Sequence, residues 1–209
     1  MLVHVPRITD RVLYTFDLVF KQLLGLDFSL TSDVEKFTAY EGPKMVYGPY
    51  RLGDAPFQKA HELLFERHIN DQETTSVDFE GVKGLFPVYG KGLLMPFDVF
   101  AASFYLVSRY EEYLPQVRDK YGRFQAESTW MFENGLLQKP LVDIWAIAMK
   151  NRLIEIYPNL LFKERKFEFV PTYDVDAAWA YKHKGVYRTL GGFFKDLAEG
   201  NREGLRERH

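Results

Sequence analysis

Apolar and polar positions along the chain switch between a period of two and a period of three to four. Leu2–Pro6 reads as a short strand closed by Pro6, and Thr9 or Asp10 can cap a helix to Leu24. In that helix Val12, Leu13, Phe16, Val19, Phe20, Leu23 and Leu24 share one face, and Gly25 suits a left-handed stop. Asp27–Thr31 reads as a strand. Phe37–Tyr40 and Met45–Tyr47, separated by Glu41-Gly42-Pro43-Lys44, read as a hairpin. A breaker-rich loop from Gly48 to Pro56 leads to a predicted helix over Phe57–His68, burying Phe57, Ala60, Leu64 and Phe65. Short strands are expected near Val77–Phe79 and Leu85–Tyr89.

Asp98 is placed to cap a helix to Tyr113, with Ala101, Phe104, Tyr105, Val107 and Tyr110 inward. Gln116–Gln138 shows no period and reads as a long irregular segment. Pro140 opens a helix over Leu141–Ile156 that buries Leu141, Ile144, Trp145, Ala148 and Ile156. Phe167 to Tyr173 then reads as a strand leading into Asp174-Val175-Asp176, with a helix beginning near Ala177-Ala178-Trp179 and a charged helical tail over Phe193–His209. The expected fold is α/β (or α+β). A mixed β-sheet flanked by helices occupies residues 1–160, and residues 161–209 read as the opening of a second domain.

Composition narrows the function classes. The 209 residues carry 27 basic and 29 acidic side chains, a net charge of −2, which disfavours a nucleic-acid partner. With no cysteine, disulfides, thiolate metal sites and a cysteine nucleophile are excluded. No apolar run reaches the roughly 18–20 residues of a membrane span, and Met1–Asp10 lacks a secretory signal pattern, so a cytoplasmic protein without a membrane partner is expected. Aromatic residues make up 16% of the chain, which fits core packing and also an interface or a carbohydrate-facing surface. Trp145 is expected in the core, and Trp130, if it sits in a mobile loop, should answer to ligand more than Trp145.

Much catalytic chemistry is missing. The sequence has no Gly-x-Ser-x-Gly elbow, no P-loop and no Gly-x-Gly-x-x-Gly after a strand. His4, His61, His68, His183 and His209 include no pair four apart, and they read as surface residues. Arg109 and Glu112 are spaced to pair on a helix surface, and Asp119–Phe124 reads as an exposed turn or a binding loop. Asp174 and Asp176 stand out because an apolar strand delivers both at its carboxyl end. Two such carboxylates suit a divalent cation and its water, and either one also suits a helix N-cap.

Thr172-Tyr173-Asp174-Val175-Asp176 resembles the first motif of the polysaccharide deacetylase (carbohydrate esterase) family, commonly Thr-Phe-Asp-Asp. Trp179–Gly185 and Arg188–Phe193 resemble a bacterial branch of that family in which an extra α/β domain precedes the barrel. Asp98–Tyr113 and Asp119–Phe124 are similar to that upstream domain. The resemblance implies that residues 161–209 hold the first strand and helix of a truncated (β/α) barrel, with Asp174 as general base, Asp176 as ligand of a zinc-like divalent metal and a glycan as substrate. Val175 separates two aspartates that the family usually has adjacent, so the roles are open to exchange. The family's later His-x-x-x-His is absent here, so residues 1–160 are expected to be an accessory domain and the chain alone to be inert and metal-free. Rival expectations are a nucleotide-sugar glycosyltransferase using Asp-x-Asp with manganese, and a non-enzymatic module that binds glycan or forms a homodimer.

Overall fold

The computed structural model describes residues 1–164, 166–174 and 185–200. These fall into two units, Met1–Arg165 and Lys166–His209. The first is built on four parallel strands, β1 (Leu2–His4), β2 (Ser29–Thr31), β3 (Lys44–Gly48) and β4 (Phe57–Lys59), in the order β2-β1-β3-β4. Register pairs Val3 with Leu30 and Met45, and Val46 with Phe57. An antiparallel hairpin, β5 (Ser76–Phe79) and β6 (Val82–Leu85), stands apart from that sheet. The fold is α/β, with the sheet and hairpin flanked by helices.

Alternation along the strands shows why both sheet faces must be covered. Val3, Val5, Met45 and Tyr47 enter the main core, while Leu2, Val46 and Phe57 pack with Phe37 on the other side. The main core holds α1 (Asp10–Phe16), α3 (Val99–Val107) and α5 (Leu141–Ile156), and the far face holds α2 (Val34–Ala39). Thr9 caps α1 by accepting from the Val12 N–H, as its position predicts. The helix continues in π register over Asp17–Leu23 and stops at Gly25, whose φ of +64° suits glycine. Leu13, expected inside, is exposed. Part of the aromatic richness is core: Phe16 stacks on Phe100 at 4.0 Å, with Phe20 and Tyr47 edge-on to Phe100, while others such as Tyr50, Tyr89 and Tyr121 are exposed.

Several predicted elements are replaced. The expected hairpin around Glu41–Lys44 does not form. Residues 34–39 are α2, capped by Asp33 on the Lys36 N–H, and its last carbonyls take the Lys44 ammonium at 2.5–3.1 Å. The segment from Met45 instead joins β1 in parallel. The predicted Phe57–His68 helix is β4 followed by a 3₁₀ turn, Glu62–Phe65. Gln58 holds that stretch extended, because its buried amide accepts from the Met95 N–H and donates to the Phe97 carbonyl. The second short strand lies at Val82–Leu85 rather than Leu85–Tyr89, across a turn where Glu80 and Gly81 both have positive φ.

Asp98 caps α3 as predicted, but the helix ends at Val107 because Arg109 takes a left-handed backbone, and Tyr110–Tyr113 is a separate 3₁₀ turn. The irregular stretch contains a 3₁₀ turn, Ala126–Ser128, and α4 (Trp130–Glu133), and it buries Trp130. The expected contrast between a loop Trp130 and a core Trp145 therefore does not hold. α5 has its predicted limits, although Ile156 is exposed.

In the second unit, residues 166–174 have no regular secondary structure, so the strand predicted over Phe167–Tyr173 is not formed. Among the described residues no strand pairs with the apolar residues there. α6 (Val186–Ala198) begins earlier than the predicted tail helix, and the predicted helix start at Ala177–Trp179 lies outside the described residues.

Candidate functional site

Of the two residues singled out at the start of the predicted barrel, Asp174 is exposed in the unstructured stretch, and Asp176 lies outside the described residues. Among the described residues no group of three or more His, Asp or Glu side chains comes together to hold a metal. A zinc-like ion takes about four ligands, a set that the described residues alone do not supply. Arg109 and Glu112 do pair. Glu111 accepts from the Trp130 N–H at 2.8 Å, and burial pushes its carboxyl up. Asp119 closes its own turn, accepting from the Tyr121 and Arg123 N–H groups and from the Arg123 guanidinium.

The first unit carries a cleft that motif reading did not find. The chain leaves β1 toward β2 on one side and leaves β3 toward β4 on the other, so the strand order reverses between β1 and β3. Open parallel sheets bind ligands outside the carboxyl ends at such a point, where the diverging loops leave a crevice. Here Pro6 and Arg7 follow β1, Pro49 follows β3, and Ala60, His61, Glu62, Phe65 and Glu66 follow β4; together they line a crevice of about 300 Å³. At its base a Cβ on Gly48 would come within 3.3 Å of the Pro6 ring, so the two strand ends approach closely.

One buried carboxylate fixes the crevice wall. Asp98 caps α3 through Oδ1, which accepts from the Phe100 and Ala101 N–H groups at 3.0 and 3.1 Å. Its Oδ2 accepts from the Tyr47 hydroxyl at 2.8 Å and from the His61 backbone N–H at 2.6 Å. Burial pushes the Asp98 carboxyl up to about 6 against these four donors, and burial likewise raises the Tyr47 hydroxyl well above its ordinary value. Strand β3, the turn after β4 and the start of α3 thus meet at one side chain.

His61 corrects the expectation of surface histidines. Its ring stacks on Phe86 at 4.3 Å, and Nδ1 accepts from the Leu63 N–H at 3.3 Å, which leaves the proton of the neutral ring on Nε2. Burial lowers its pKa, favouring that neutral form. His61 is half-buried, His4 is buried edge-on to Phe37, and only His68 of the three described histidines in this unit is exposed.

A family of unknown function, DUF7033, matches residues 1–158. The chain belongs to DUF7033. No curated protein and no solved structure matches it. The matched DUF7033 segment contains the whole sheet, α1 to α5 and every residue of the crevice, and ends before Asp174. The signal that could have located the crevice in a DUF7033 sequence is positional. Arg7 and His61 each stand two or three residues beyond the end of a parallel strand, but the second of those strands reads as helix. No helix among the described residues is long and apolar enough to cross a membrane.

Proposed function

We propose that residues 1–165 are an accessory module of a longer protein, and that residues 166–209 open a metal-dependent carbohydrate deacetylase domain. The observation that supports this reading is the apolar sequence left uncovered in the second unit. Phe167, Phe169 and Tyr173 are 95%, 78% and 85% exposed, although they alternate as a sheet strand would. In α6, Val186, Leu190, Phe193, Phe194 and Leu197 fall on one face at helical spacing and are all exposed. Apolar surface of this pattern is the surface that further strands and helices of a barrel would bury. In that setting Asp174 and Asp176 would stand at the carboxyl end of the first strand, the catalytic end of such barrels. A nucleotide-sugar transferase draws on the same two aspartates and gains no observation of its own.

The test is acetate release from N-acetylated and O-acetylated oligosaccharides with zinc or cobalt added. The 209-residue chain should release none. A chain continuing past residue 209 should be active and should lose that activity in Asp174→Ala and Asp176→Ala. Turnover by the 209 residues alone would refute the proposal, as would a zinc-loaded longer chain that releases nothing.

A further inference from the structure

The crevice between β1 and β3 carries a second inference, which does not rest on the deacetylase reading. We infer that it binds a single neutral sugar ring through Arg7, His61, Glu62 and Glu66. Its volume of about 300 Å³ lies at the lower end of small-molecule sites and suits one ring rather than an enclosed chain.

The donor and acceptor set decides the ligand class. Arg7 spends one N–H on the Phe65 carbonyl, and the rest of its guanidinium fork remains at the crevice. His61 contributes the Nε2–H, since its Nδ1 is used as an acceptor. Glu62 and Glu66 contribute carboxylates; Glu66 is held through Oε2 by the Asn70 and Gln72 amides at 3.0 and 3.1 Å. The walls between these groups are Pro49 and Phe65.

A phosphate or nucleotide would meet two carboxylates against one guanidinium. The turn after β1, Val5 to Thr9, also has no glycine to let backbone N–H groups wrap a diphosphate. An organic cation would meet the guanidinium. A vicinal diol both donates to a carboxylate and accepts from Arg or His, and the C–H face of a pyranose packs on proline and phenylalanine. Arg7 and Glu66 also line a neighbouring depression of about 450 Å³, so a second ring attached to the first has room outside the crevice.

The experiment is amide-resolved NMR titration of the 209-residue chain with glucose, N-acetylglucosamine and their β-1,4-linked disaccharides, and separately with inorganic phosphate and AMP. Sugars should shift the amides of Arg7 and of His61 to Glu66 in a saturable way. Glu66→Gln keeps an acceptor for Asn70 and Gln72 but loses the charge, so it should weaken binding about tenfold or more with an unchanged fold. Glu155→Gln, in the separate depression beside Tyr89, should bind like wild type. The inference is overturned if no sugar shifts these amides at tens of millimolar, if the shifts map to the Tyr89 depression, if phosphate or AMP binds there instead, or if Glu66→Gln binds sugar unchanged.

Discussion

Asp98 shows how one side chain can set both stability and site geometry. Asp98→Asn keeps the cap on Oδ1 but turns an amide N–H toward the His61 N–H, which should cost about 1–3 kcal/mol. The size of that cost depends on pH. Native Asp98 holds its proton up to about 6, whereas the unfolded chain loses it near 3.8. The stability from this group is therefore complete below about pH 3.8 and is lost as pH rises through about 6. Urea unfolding of wild type and Asp98→Asn should give a larger difference near pH 4 than near pH 7. A difference that grows with pH would contradict the raised pKa. The cap itself was readable from the sequence, since an aspartate before an apolar helix satisfies its free N–H groups. The partners Tyr47 and His61 were not, because they lie 51 and 37 residues away and are brought in by strand pairing.

Among the elements, α3 carries much of the first unit's core, whereas the apolar side chains along α6 are exposed. Phe100→Ala removes a fully buried ring stacked on Phe16 and should lower unfolding free energy by about 3–5 kcal/mol. Phe194→Ala in α6 removes an exposed ring and should change it by no more than about 0.5 kcal/mol. Chemical denaturation followed by Trp145 fluorescence separates the two. The same contrast explains which elements could be read in advance. α1, α3 and α5 announce themselves because long amphipathic periods and caps at Thr9 and Asp98 are local. Strand β4 is only three residues, and Phe57, Ala60 and Leu64 happen to fall at helical spacing. What makes it a strand is the buried Gln58 amide and the parallel neighbour β3, neither of which is a local signal. The hairpin expectation failed for a related reason: Lys44 follows a helix and takes up its carbonyls, whereas a turn reading treats it as solvent-facing.

At the scale of the molecule, the two units should differ in resistance to protease. Lys163 is tied down, with its N–H on the Gly25 carbonyl and its ammonium on Asp27 at 3.1 Å, while residues 166–174 are exposed and without regular secondary structure. Limited trypsin digestion should cut first at Lys166 or just beside it and leave a resistant fragment beginning at Met1, identifiable by mass and still unfolding cooperatively. Early cleavage inside α1 or α5 would contradict this division. The candidate metal residues were visible to motif reading because they stand only two apart in sequence, whereas Arg7 is brought beside His61 and Glu66 only through the order of the strands. The bond that pins the crevice wall to Asp98 comes from the backbone of residue 61. Any amino acid except proline can supply it, so a substitution at 61 removes the ring on Phe86 and the acceptor for the Leu63 N–H but leaves the bond to Asp98 in place.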